Sequence, residues 1–491
     1  MREFHKSRTL AFIMLGWAML LLSHAPALAT PARGYDHVLH ESWENTFFQD
    51  QKVGFSFMKV DHGEKGYFVT GRAVLKLSIN NMTQDMSFSS EASLDPDGKL
   101  QKFNYLQTMS GQRQNIRGVV KEGVIRMVVS GAGGAREARV KAPVDVNLPH
   151  IVEFFFFRDL KVGKKITAPV FMEALRVVDK LSLHVTGTKE MKTAKGMEEV
   201  FVVESRMQGV TTTTYVAADG RRVREESLMG MSFVETTEED ATKMSAGIPI
   251  TSVINFSLIT PDKPLPDPES LKSLTISIAG LSSPEIMEDD RQKPGQFTRE
   301  LDQEGKRTFT VPVTVTRLAP SSTLPIAQAG AAHPEALAPT PEVQSDNKMI
   351  RKVAMDIAGG EQDSWEAAKK INRWVFLNIK KEYIDSFTAI DVLLSKKGEC
   401  NSHTNLAVAL FQARGIPAKV TGGLVYSQAS KGFVYHAWPE VFVGQWVAMD
   451  PTLGQEVVDA THVKLIEGGV ESILGLMRHI AKISITIDKA Q

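Results

Sequence analysis

One cysteine occurs in 491 residues, Cys400, within the stretch KKGECNSHTNLAVALFQARGIP from Lys396 to Pro417. A solitary thiol is either a small buried hydrophobe or a reactive group. The run behind it is helical, with Leu406, Ala409, Leu410 and Ala413 on one face and Gly415 and Pro417 as the stop. Cys400 therefore falls within a turn of a helix N-terminus, with Asn401 and Ser402 as candidate caps. Free backbone N–H groups and the positive dipole end favour thiolate over thiol there. A thiolate nucleophile needs a base and a group that orients the base. Both types follow in FVYHAWPEVFVGQWVAMDPT, His436 in a first strand and Asp450 at the end of a second. Histidine takes the thiol proton and returns it to a leaving group, while aspartate fixes the tautomer.

That triad carries a condition on register. If the two strands joined through a two-residue loop at Gly444-Gln445, His436 and Asp450 would face opposite sides of the sheet. A three-residue loop, or one bulge, puts Asp450 across from Trp438 and diagonal to His436, within reach. Gly444 suits the left-handed position of such a loop, and Pro439 marks an edge or bulge because it cannot donate to the ladder. The sequence thus predicts an irregular hairpin.

Neighbouring residues have plainer readings. Cys400 and His403 form a Cys-x-x-His pair, but a structural zinc site needs about four ligands and no second cysteine exists. His403 reads as a capping or pocket-wall residue. Trp374 reads as core, Trp438 and Trp446 as core or groove wall, and Glu440 as a solvated strand residue. No acidic loop with calcium-ligand spacing is present, so neither metal nor cofactor is expected.

The elements that must hold this constellation differ along the chain. Asp363 and Glu366 fit a capping box ahead of a helix whose apolar stripe is Trp365, Ala368, Ile371, Val375 and Ile379. Before it, Ala319 to Ser345 is rich in Ala, Pro and Ser without apolar period and reads as an extended linker or clasp. Residues 30–245 are β-rich, with turns at DHGEKG, DPDG, KEG and Asp219-Gly220, the last a hairpin signal. Hairpins in series imply an antiparallel sheet. Residues 246–318 form a second β-rich segment around KSLTISIAGL and KRTFTVPVTVTRL. The expected fold class is α+β: β-rich antiparallel N-terminal domains, then a linker at 319–345 and a mixed domain over 346–491.

Lys and Arg number 57, as do Asp and Glu, so the formal net charge is zero. Neither nucleic acid nor an anionic membrane surface is an expected partner. The N-terminus has Arg2, Lys6 and Arg8, an apolar run from Leu10 to Leu22, and SHAPALA ending at Ala29. This pattern predicts a secretory signal over residues 1–29, cleaved after Ala29, with no stable membrane span left behind. The run is shorter than the roughly 20 residues that span a bilayer. An exported protein, periplasmic or secreted, that carries one unpaired thiol fits a reactive cysteine better than a disulfide framework.

The motifs GECNSHTNLAVALFQARGIPAKVTGGLVY and YHAWPEVFVGQWVAMDPT resemble the core of the bacterial transglutaminase-like superfamily, from about residue 350 to 465. The resemblance implies a fold related to papain-type cysteine proteases, with Cys400, His436 and Asp450 as a catalytic triad. It also implies attack on an amide or acyl group of a protein or peptide, a cell-envelope protein among the candidates. Water resolving the thioester would make a peptidase or amidase, an amine a transglutaminase. The sequence leaves those outcomes open, and beside them a non-catalytic module that binds peptide or envelope partners with the same fold. The β-rich N-terminal part shows no catalytic grouping.

Overall fold

A computed structural model describes Tyr35 and residues 37–491, apart from 49, 80–81, 110–111, 132–133, 208–209, 228–230, 245–247, 250–257, 282, 302–306, 383–387 and 469–482. The expected signal segment, residues 1–29, lies outside the described residues. The chain divides into two compact units between Ser252 and Val253.

The N-terminal unit is built on a 15-stranded sheet among the described residues, in which all but one short pairing is antiparallel. Successive hairpins run from His37–Phe48 to Gly134–Lys141 along one side. On its other side His37–Phe48 pairs with Met231–Thr236, and the sheet continues back through the chain to Lys165–Met172. The turns sit where the residues allow them. Glu122 and Gly123 both take positive φ between the strands Gln112–Lys121 and Val124–Gly131. Gly220, at φ +84°, closes the hairpin read from Asp219-Gly220. The helix Pro149–Phe157 buries Phe156 and Phe157 with Val170, Leu181, Leu183, Val185, Val203 and Val216.

The C-terminal unit is mixed, which makes the chain α+β with a β-rich N-terminal part. Its main core joins four helices, Lys348–Ala358, Ser364–Asn378, Ala389–Ser395 and Cys400–Arg414, to one face of a four-stranded sheet. The strand order is Trp446–Ala448, Gly432–Phe442, Ala418–Ser427, Val463–Glu467. Ile350, Ile371, Val375, Leu406, Leu410, Val441 and Met449 are all fully or nearly buried in this core. Asp363 caps its helix as the sequence implies, accepting from the N–H groups of Trp365 and Glu366.

Two arrangements differ from a reading of separate segments. The strand Ser484–Ala490 pairs with Ser273–Leu281, which also pairs with Arg307–Thr316. The second β-rich segment and the end of the chain thus share one sheet, a long-range pairing that local patterning does not reveal. Residues 319–345 have a packed course: a helix at Ile326–Ala332, Ile326 and Val343 in the main core, and Leu324 donating its N–H to the Val443 carbonyl. Ala and Pro in short turns give no apolar period, yet they bury well.

Candidate active site

The cysteine helix begins at Cys400, with Glu399 in extended conformation as N-cap and no side-chain cap bond. Asn401 and Ser402 lie in the first turn and do not cap. Gly415 ends the helix in the left-handed region, φ +91°, and receives no steric penalty there. Cys400 is 3% exposed. Gly398 lets this entry turn come close, since a Cβ there would stand 2.4 Å from the Ser402 Cβ.

The histidine strand, Gly432–Phe442, turns back through Val443, Gly444 and Gln445 to Trp446–Ala448, with Phe442 opposite Trp446. This is a three-residue loop, and Gly444 holds φ +118° in it. The register carries on past the strand: the Met449 N–H bonds the Pro439 carbonyl at 3.0 Å. Asp450 consequently faces the position of Trp438, diagonal to His436. Their side chains meet, His436 Nε2 to Asp450 Oδ2 at 2.7 Å. Nε2 donates to the carboxylate, which leaves Nδ1 as the nitrogen for the sulfur, and Cys400 lies near enough to the ring to favour its charged form.

Burial alone would strip the charge from His436, but the Asp450 carboxylate and the Cys400 sulfur outweigh it and raise the ring's pKa to about 10. Burial also opposes ionisation of Asp450, yet two imidazoles and two amides hold its carboxyl well below the usual carboxylate range. Its Oδ1 accepts from the N–H groups of Thr452 and Leu453 at 2.7 and 2.9 Å. All four oxygen partners come from the chain itself, so the carboxylate cannot rotate freely.

The structure therefore brings together the three residues named from sequence. It also adds two that sequence reasoning missed. His462 Nε2 lies 3.2 Å from Asp450 Oδ2, and its Nδ1 lies 3.2 Å from Asp459 Oδ1. The polar island Asp459-Ala-Thr-His462, set between Val458 and Val463, was the available signal: acid and imidazole three residues apart where the chain re-enters the core. His436, Asp450 and His462 also place three donor atoms within 4.8 Å of one another. The 2.7 Å contact is hydrogen-bonding distance, whereas two ligands of a tetrahedral zinc stand about 3.3 Å apart. The cluster is a hydrogen-bonded one.

Other residues take structural roles. His403 is buried with Nδ1 2.8 Å from the Glu399 carbonyl and Nε2 3.2 Å from the Ile379 carbonyl; burial favours the neutral ring, which donates to one of them and sets the cysteine helix against the end of the preceding long helix. Trp438 is fully buried with its ring 6.2 Å from the His436 ring. Trp446 is partly buried, with Lys419 over its ring. Trp374 packs beside the core with Lys396 over its ring. Glu440 departs from the solvated reading: it is 3% exposed and pairs with Lys464 at 2.8 Å. The solvated reading fails because Gly432–Val441 is buried on both faces.

Two family models match parts of the chain. Residues 351–451 match the model of the Transglutaminase-like superfamily. Residues 45–233 match a second family model, Protein of unknown function (DUF3108). No match is found among curated proteins. Among solved structures, a candidate cysteine protease from Cytophaga hutchinsonii is 18% identical, with a TM-score of 0.28 over 44% of this chain and 82% of its own. A β-barrel-like protein of the DUF1849 domain from Brucella abortus is 12% identical, with a TM-score of 0.32 over 41% and 98%. A candidate protease from Parabacteroides distasonis is 12% identical, with a TM-score of 0.18 over 81% and 67%. Residues 351–451 of this chain constitute a transglutaminase-like domain.

Proposed function

We propose that the chain is an exported cysteine enzyme that attacks an amide or related acyl group of a protein or peptide. The observation that carries this reading is the convergence of Cys400 and Asp450 on the buried His436 ring, the carboxylate at 2.7 Å and the sulfur near enough to raise the ring's basicity. In the reaction the Cys400 sulfur adds to the acyl carbon, and His436 passes its proton to the departing amine. Collapse of the tetrahedral adduct breaks the C–N bond and leaves a thioester on Cys400. Water or a second amine then attacks the thioester, giving up a proton to His436, and the thiolate leaves. Asp450 keeps the ring aimed through both halves. The sulfur is nearly covered, so the acyl group has to be slender where it reaches the thiol. Export rests on the basic start, the apolar run and the Ala-x-Ala ending at Ala29. Among the described residues no helix is long and apolar enough to cross a membrane.

The test is to incubate purified mature protein with cell-envelope proteins and compare products from the wild type and Cys400→Ser by mass spectrometry. The proposal expects Cys400-dependent products: fragments for hydrolysis, or joined chains lighter by one ammonia for cross-linking. A chain that binds an envelope protein yet yields identical mixtures with and without Cys400 would instead be a binding module.

A further inference from the structure

His462 is fully buried, and each of its ring nitrogens faces a carboxylate oxygen, Asp450 on one side and Asp459 on the other. Both oxygens are acceptors, so only a ring with a proton on each nitrogen supplies both bonds. Asp459 is itself fixed: its Oδ1 accepts from the N–H and hydroxyl of Thr461, and its Oδ2 from the Gln455 amide. Gln455 is bound by two backbone bonds to Asp450, so the loop from 450 to 462 closes on itself. The result is a row of sulfur, imidazole, carboxylate, imidazole and carboxylate that extends two residues past the triad.

We propose that His462 is a positioning residue for the triad: clamped between Asp450 and Asp459, it fixes the carboxylate that aims His436 and tempers the negative charge that His436 meets. The inference rests on the reading of Cys400, His436 and Asp450 as a nucleophilic triad. A neutral ring at 462 has a single N–H and would leave one of the two carboxylates, Asp450 or Asp459, a donor short inside a dry site. The His462 ring, 5.9 Å from the His436 ring, shares the same Asp450 oxygen; by taking up part of that oxygen's hydrogen-bonding capacity it limits how tightly His436 holds its own proton.

Other groups face this pair from each packed element. Arg291 donates to the carbonyls of His462 and Asp459. Lys464 is engaged by Glu440, Glu467 and Asp289. His403 on the cysteine helix lies within the field of Asp450, and Trp438 stands edge-on to the His462 ring at 5.2 Å. None of the cations among them bonds the Asp450 carboxylate, so that task falls to the two imidazoles.

The experiment uses the full mature chain labelled with 15N-histidine, in wild type, His462→Gln, His462→Phe, Asp459→Asn and His436→Ala. Two quantities are read: the pH at which the His436 ring loses its proton, and the rate of Cys400 alkylation by iodoacetamide at pH 7. The expected result for His462→Gln is an upward shift of the His436 titration by about half a pH unit or more, because a weaker amide donor replaces the imidazole that shares the Asp450 oxygen. Alkylation slows about tenfold as Asp450 loosens. Glutamine retains one donor toward Asp450 and phenylalanine none, so the rates fall in the order wild type, His462→Gln, His462→Phe. Asp459→Asn shifts the His436 titration in the same direction by a smaller amount. If His462→Phe fails to fold, His462→Gln and Asp459→Asn, with native circular dichroism, decide. An unmoved or lowered His436 titration together with unchanged alkylation in His462→Gln overturns the inference while the triad stands, provided His436→Ala is slow. If His436→Ala also alkylates at the wild-type rate, the triad reading itself fails and the inference with it.

Discussion

Asp450 holds His436 from across a three-residue hairpin, carboxylate oxygen to ring nitrogen at 2.7 Å, with neither side chain more than 5% exposed. A loop one residue shorter would have put the two on opposite faces of the sheet. The geometry of this pair is therefore a consequence of strand register.

The same bond makes Asp450→Asn a sharp test of role. An amide of nearly equal shape offers a donor where the ring needs an acceptor, and the wrong tautomer is stabilised. The expected loss in turnover is about 10³- to 10⁴-fold with the fold intact. A loss below tenfold, measured on whatever substrate the Cys400-dependent products identify, would mean that Asp450 does not set the tautomer.

Stability should depend on pH through His436. Its pKa in the folded chain lies near 10, above the ordinary 6.5, so the folded state binds the extra proton between those values. Its contribution is fully present below about pH 6.5 and disappears as the pH rises towards 10. Urea denaturation of wild type and His436→Gln at pH 6, 8 and 10 should show a stability gap that narrows with rising pH. A gap that is constant or widens would show that the ring carries no extra proton.

Gly423 pairs with His436 on one side and with Lys464 on the other, two residues past His462. A Cβ there would lie 1.9 Å from the Val463 carbonyl oxygen and 3.0 Å from the Trp438 ring. Gly423→Ala should cost about 2–4 kcal/mol in urea denaturation, from forced separation of the strands. An ordinary surface-like change within about 0.5 kcal/mol would contradict this packing.

Lys464 is 1% exposed and meets Glu440, Glu467 and Asp289. Lys464→Met leaves the buried Glu440 carboxylate with Lys419 alone, at 3.3 Å, and should destabilise by about 2–3 kcal/mol. The double change Lys464→Met with Glu440→Leu should recover much of that loss, because both charges are removed together. Failure of the second change to recover anything, in thermal or urea unfolding, would place the value of Lys464 elsewhere.

Much of the candidate site could be read from residue types, and the reasons are local. The cysteine helix declares itself by its apolar face and its Gly415 stop, and the triad by residue types in order around a turn. His462 and Asp459 were not legible because their significance arises only when a loop folds back on Asp450. Glu440 was misread for a related cause: a strand covered on both faces has no solvent side, and its partner Lys464 comes from another strand. In the N-terminal unit the hairpin turns at Gly123 and Gly220 were legible, whereas the pairing of His37–Phe48 with Met231–Thr236 depends on contacts nearly the whole unit apart.

The account as a whole turns on the reactivity of one sulfur. A brief pulse of iodoacetamide near pH 6, followed by mass spectrometry of the Cys400 peptide, measures it without any knowledge of substrate. The account predicts that Cys400 in the wild type labels far faster than free cysteine at that pH and that His436→Ala abolishes the advantage. Labelling as slow as free cysteine, unaltered by His436→Ala, would contradict it.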